Sequence, residues 1–176
     1  MIEMSLIIVI DTNVLRYALE AEKELKDDEE TRKSYQLLLQ LLKNPEVIFV
    51  ANSETKGEYY RHLEALKTEI RRRRIVPQSF SLLRLLRPKL KTVELEHHEF
   101  SFEGEAAGRK DLHLLNSAKS GALLFGENEA IVLTFAEDVY RAIRARKGKG
   151  IVVRIINLKS EEDIEELKVL WLSSEL

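Results

Sequence analysis

The chain has no cysteine, which rules out disulfide bonds, thiolate metal sites and cysteine nucleophiles together. It has no excess of charge of either sign. Its 28 Lys and Arg against 30 Asp and Glu give a formal net charge of -2, so nucleic acid cannot be wrapped by bulk charge and any contact with it must be local. A long apolar run is also missing. The opening MIEMSLIIVI is far shorter than a membrane span, carries Glu3 where a signal peptide would be basic, and is followed at once by Asp11. A buried strand in a cytoplasmic protein with no membrane contact is expected. No repeat, low-complexity tract or composition shift marks a linker, so residues 1–176 are expected to form one domain.

What the chain does have is alternation. LIIVI at 6–10, EVIFV at 46–50, AIVLT at 130–134 and GIVVRII at 150–156 are apolar, β-branched runs of the kind that fill a sheet covered on both faces. KTVELE at 91–96 is a fifth candidate without a clear place. Helical periodicity runs over 30–43, 54–73 and 111–124, with further helices expected at 136–146 and 160–172. The last is opened by Ser160, with Asp163 three residues on. Alternating strands and helices predict an α/β fold, a three-layer α/β/α sandwich on a central parallel sheet. The stretch 97–110, HHEFSFEGEAAGRK, lacks periodicity and is expected to be mobile.

Ligands of open parallel sheets bind beyond the carboxyl ends of the strands, so acids just after predicted strands draw attention. Asp11 follows LIIVI directly and opens Asp11-Thr12-Asn13. Taken alone it reads first as an N-cap accepting backbone N–H groups. Glu58 in the helix after EVIFVANS, Asp111 at the head of a helix and Asp138 just after AIVLT occupy comparable places. Carboxylates gathered from distant segments suit a hard divalent cation such as Mg²⁺ or Mn²⁺, and such a cluster suits metal-assisted phosphodiester hydrolysis.

Three segments carry a more specific resemblance. Ile10-Asp11-Thr12-Asn13-Val14-Leu15, Ser53-Glu54-Thr55-Lys56-Gly57-Glu58-Tyr59-Tyr60 and Lys110-Asp111-Leu112-His113-Leu114-Leu115-Asn116-Ser117-Ala118 resemble, in order and spacing, the motifs of the PIN-domain ribonuclease family. The likeness covers roughly residues 5–156 and extends to toxin-like and archaeal members. It implies an α/β/α sandwich whose acids hold one or two Mg²⁺ or Mn²⁺ ions and cut RNA. On that likeness Asp11, Glu58, Asp111 and Asp138 are the catalytic and metal-holding set, supported by Thr12, Asn13 and Thr134. It also implies an antitoxin protein and a second copy of the chain as partners. The fourth motif departs from the family's Thr-x-Asp: the chain reads Thr134-Phe135-Ala136-Glu137-Asp138, with alanine where the first acid belongs. That departure opens the alternative of a catalytically weakened module that binds RNA or protein.

Other features have plainer explanations beside the functional ones. Arg71, Arg72, Arg73 and Arg74 close a helix, where cations are favourable and usually solvated; the alternative is a track for RNA phosphates, with Arg109 and Lys110 as further contacts. His97 and His98 are adjacent, so on extended backbone they face opposite ways and are expected at the surface rather than on one ion. His62 follows Glu58 by four residues, as a solvent-exposed pair on one helix face would, and His113 has no assigned role. Gly148-Lys149-Gly150 lacks the P-loop pattern and is explained by a turn. Asn13 stands where aspartyl-phosphate chemistry would need a second aspartate.

Overall fold

The β-branched runs assemble into one all-parallel sheet in the computed structural model, which describes residues 5–74, 79–100, 112–135 and 150–175. The strands are β1 (Leu6–Ile10), β2 (Val47–Ala51), β3 (Leu90–Thr92), β4 (Glu129–Thr134) and β5 (Val152–Asn157), in the order β3-β2-β1-β4-β5. The central strand β1 pairs with β2 on one side and β4 on the other, and all its residues but Leu6 are buried. The helices are α1 (Thr12–Glu22), α2 (Glu29–Lys43), α3 (Ser53–Arg72), α4 (Ser81–Lys89), α5 (Leu112–Phe125) and α6 (Glu161–Glu175). They make the expected three-layer α/β/α arrangement.

Strand alternation sorts the core into two clusters. Ile8 and Ile10 of β1, with Phe49 and Leu133, face the leucines of α1, α2, α3 and α4 and Leu167 of α6. Ile7 and Val9, with Val50 and Val132, face Leu114, Leu115, Ala118 and Ala122 of α5. The close seat of α5 depends on Gly121, where a Cβ would lie 2.7 Å from Val50 Cγ2 and 3.1 Å from Ile7 Cγ2. Gly126, at φ 69°, ends that helix in the left-handed conformation glycine adopts without steric cost.

Several expectations are refined. The doubtful segment at 91–96 supplies β3, which stops at Thr92, although Val93 still donates its N–H to the Ala51 carbonyl at 3.0 Å. Helix α4 was not expected; Leu82 and Leu86, four residues apart, bury its inner face, and Pro88 sits in its last turn. The Ser160 signature holds, since Ser160 Oγ accepts from the Asp163 N–H at 3.3 Å where α6 begins. Of the stretch 97–110, His98 is held in place. Its N–H donates to Asn116 Oδ1 at 2.9 Å and its Nε2 lies 2.8 Å from Ser120 Oγ. Residues 101–110 and the helix expected at 136–146 lie outside the described residues. Among the described residues no helix is long and apolar enough to cross a membrane.

Candidate active site

The strand order reverses direction between β1 and β4: the chain builds outward from β1 through β2 to β3 on one side, and from β4 to β5 on the other. Crevices at such switch points are where open α/β sheets bind ligands. Asp11 and Thr134 sit at this point. Ile10 is in register with Leu133, the Asp11 N–H donates to the Leu133 carbonyl at 2.8 Å, and Thr134 Oγ1 donates to Asp11 Oδ2 at 2.6 Å.

Asp11 occupies the N-cap position of α1, but its side chain makes no capping bond to that helix. The carboxylate is buried, and burial raises its pKa above the ordinary 3.8. The Thr134 hydroxyl, the backbone at Thr12 and Asn13, and the charge of His113 all work the other way. A carboxylate whose burial outweighs its hydrogen bonds is costly for the fold, and ligand binding is a common reason for such a group to be retained. Thr12 is buried beside it and Asn13 is exposed.

Glu58 is brought to the same end of the sheet by α3. Tyr59, next to it in sequence, is buried and donates its hydroxyl to the Ile10 carbonyl at 2.5 Å, which ties α3 to the last residue of β1. Burial, and then the charge of Asp11, hold the Tyr59 phenol well above its usual range. The Glu58 carboxylate is about one-third exposed and pairs with Arg61 rather than with His62. Asp11 and Glu58 both act on His113 and on His62, so the two acids share one electrostatic neighbourhood. Burial lowers the pKa of each histidine, and both acids oppose that shift.

A buried polar network fixes the starts of α3 and α5 against each other. Asn52, fully buried, caps α3 by accepting the Thr55 N–H at 3.0 Å, and its own N–H donates to Ser117 Oγ at 3.0 Å. Thr55 Oγ1 lies 2.8 Å from His113 Nδ1 and 2.9 Å from Ser117 Oγ. Asn52, Thr55, His113 and Ser117 were not singled out as a group by sequence reasoning. Their only sequence signal is the Asn52-x-x-Thr55 cap pattern at the mouth of α3.

No family model, curated protein or solved structure matches the chain. The site therefore stands on its own residues. Asp11 and Thr134 are in hydrogen-bond contact, and His113, bonded to Thr55, and His62 both lie within electrostatic reach of Asp11 and of Glu58. Asp111, Asp138, Ala136, Arg109 and Lys110 lie outside the described residues. Among the described residues no three His, Cys, Asp or Glu side chains are gathered to hold a metal ion.

Two sequence expectations need correction. His98 is not a surface histidine, because its side chain is only 11% exposed and is hydrogen-bonded to α5; only His97 stands in solvent. His62 is not a solvated partner of Glu58: it is half-buried, with Nδ1 enclosed and without a hydrogen-bond partner among the described residues. The arginine run also divides. Arg73 donates to Glu69 Oε1 at 2.8 Å and to the Leu25 carbonyl at 3.3 Å, Arg74 takes the left-handed conformation at φ 56°, and Arg71 alone of the four faces a cavity on the α3 surface.

Proposed function

We propose that the chain is a metal-dependent endoribonuclease that hydrolyses RNA phosphodiester bonds with Mg²⁺ or Mn²⁺ held by carboxylates at the carboxyl end of the sheet. The observation that carries this reading is Asp11: buried at the switch point, held by Thr134, and raised in pKa because burial outweighs the hydrogen bonds that favour its charge. Such a group is poorly explained by stability and well explained by a cation.

The available donors fit a hard divalent ion, since Asp11 and Glu58 are carboxylates and the chain has no thiolate to favour a softer metal. Asp11 and Glu58 would hold it, with Asp111 and Asp138 joining on the sequence resemblance. When bound, such an ion lowers the pKa of a water and stabilises charge on phosphate oxygens. The protein's part is positional. Thr134 fixes one oxygen of Asp11, Tyr59 anchors α3 beside it, and the Asn52-Thr55-His113-Ser117 network fixes the start of α5, just beyond Asp111. An antitoxin partner and a homodimer rest on the family resemblance alone. Ala136 favours the second reading, a module that binds RNA without cutting it.

The test is RNA cleavage by the purified chain with Mn²⁺, with chelator, and in Asp11→Asn. Cutting that needs the metal and vanishes in a folded Asp11→Asn variant supports the nuclease. RNA binding without cutting, unchanged by Mn²⁺, supports the second reading.

A further inference from the structure

The arginines that close α3 point to a second surface. Between α3 and α4 lies a cavity of about 440 Å³ floored by Leu63, Ile70, Phe80 and Leu83. Around it stand four cations, Lys67 and Arg71 from α3 and Arg84 and Arg87 from α4. A smaller cavity of about 170 Å³ shares Leu63, Leu83 and Arg87 with the first and runs on to Lys56, Tyr59 and Tyr60. The two form one groove, which begins within a turn of Glu58. Among the described residues no acid lines either part of it.

The helix-terminus explanation does not cover this pattern. A favourable interaction with the helix dipole would account for Arg71 but not for Lys67 a turn earlier, nor for Arg84 on a different helix. Each helix contributes a pair at helical spacing, i and i+4 on α3 and i and i+3 on α4, so the two pairs share one groove. Arg71 and Arg87 form no ion pair among the described residues, Lys67 has only a 3.6 Å contact to Glu64, and Arg84 donates to Ser79 Oγ. Like charges gathered without acids repel each other, and an anion relieves that repulsion.

We infer that this groove holds the single-stranded backbone of an RNA substrate as it leaves the acid site, an inference that rests on the ribonuclease reading above. Three observations favour a polyanion over an amphipathic protein helix. Ile70 and Phe80 in the floor are 4% and 5% exposed, which leaves the partly exposed Leu63 and Leu83 as the open apolar strip, flanked by cations from both helices. The cations, by contrast, are all exposed. Tyr60, 61% exposed at the head of the groove, offers a base a stacking face beside Glu58. From Glu58 to Arg71 the helix advances about 20 Å at 1.5 Å per residue, enough for a few nucleotides of extended strand.

The experiment measures binding of a labelled 12-nucleotide oligouridine by fluorescence anisotropy, on the full chain with chelator present so that nothing is cut. Arg71→Ala/Arg87→Ala is compared with Arg72→Ala/Arg74→Ala, which removes the same charge outside the groove; circular dichroism checks both folds. Expected is a loss of about tenfold or more in affinity for the groove pair, little change for the control, and a salt dependence shallower by about 1.4 in slope for two lost phosphate contacts. Equal losses in both pairs, or none in the groove pair, overturn the proposal. So does capture of a glutamate-rich amphipathic peptide that is lost only in the groove pair while RNA affinity is kept. Cleavage by the wild-type chain with Mn²⁺ is followed separately. Cutting with an unchanged KM in the groove pair sinks the groove and spares the nuclease. Groove-dependent binding without any cutting sinks the nuclease and supports the groove.

Discussion

At its N-terminal end α3 is buried in polar contacts: Asn52 and Thr55 are 0% exposed, and each reaches across to α5. At its C-terminal end Lys67 and Arg71 stand in water above a partly buried apolar floor. The helix is 20 residues long, so about 30 Å separates a place where polar groups are buried and hydrogen-bonded from one where charges stand in solvent. The first arrangement suits positioning of reacting groups, because buried hydrogen bonds leave their partners few alternatives. The second suits sequence-independent attraction, which needs charge but little geometry. Substitutions at the two ends should therefore differ in kind.

The largest effect is expected from Thr55→Val, which keeps the shape of the side chain and removes its hydroxyl. His113 Nδ1 loses its buried side-chain partner, at about 1–3 kcal/mol for a group left unsatisfied, while Ser117 Oγ loses one partner and keeps the Asn52 N–H. At about 2–4 °C per kcal/mol for a chain of this size, thermal melting should fall by several degrees. Arg71→Ala, an exposed site, should stay within about 0.5 kcal/mol of wild type. If the two variants melt alike, the buried network is not what fixes this end of the helix.

Asp11→Asn comes next and separates stability from function at the polar end. Burial raises the Asp11 pKa above 3.8, so the folded chain holds the proton more tightly than the unfolded chain does. Its contribution to stability is complete below about pH 3.8 and is lost as pH rises through the raised folded value. At neutral pH the charge therefore opposes folding. Asparagine can still accept from Thr134 Oγ1 without that charge. The variant should melt a few degrees above wild type at pH 7, and the gap should close toward pH 4. Added Mn²⁺ should raise the melting temperature of the wild type alone. A variant that melts below wild type at pH 7 would show that the carboxylate is structural.

The same contrast decides what the sequence makes legible. β1 and β4 stand out because uninterrupted β-branched runs have few other uses, and Asp11 and Glu58 stand out because they follow strands. Helix α4 escapes because Arg84, Arg87 and Pro88 break up its leucines; in fact Pro88 lies in the last turn and Leu82 and Leu86 bury the inner face. The Asn52-Thr55-His113-Ser117 network escapes for another reason. Its hydrogen bonds span 58 to 65 residues of chain, and periodicity records only local neighbours. The arginine run was visible, but run length was the wrong feature to weigh. Helical spacing pairs Lys67 with Arg71 and leaves Arg72 and Arg74 outside the groove.

The smallest expected effect concerns Arg61, the cation paired with Glu58 at the acid end. Arg61 holds the Glu58 carboxylate from a side chain 71% exposed, so the pair is worth little to the fold, as exposed ion pairs generally are. Its consequence should lie in competition: a cation that takes Glu58 as a ligand must displace the guanidinium, so Arg61→Ala should tighten Mn²⁺ binding severalfold while leaving the melting temperature of the metal-free chain nearly unchanged. Arg71→Ala removes the same charge from the other end of α3 and should leave Mn²⁺ affinity where it was. Isothermal titration of the two variants against wild type checks this. Tightening by both to the same degree would mean that Mn²⁺ responds to net charge alone, and Glu58 would lose its place as a ligand. Weakening by Arg61→Ala would mean that the guanidinium orients Glu58 for the metal rather than competing with it.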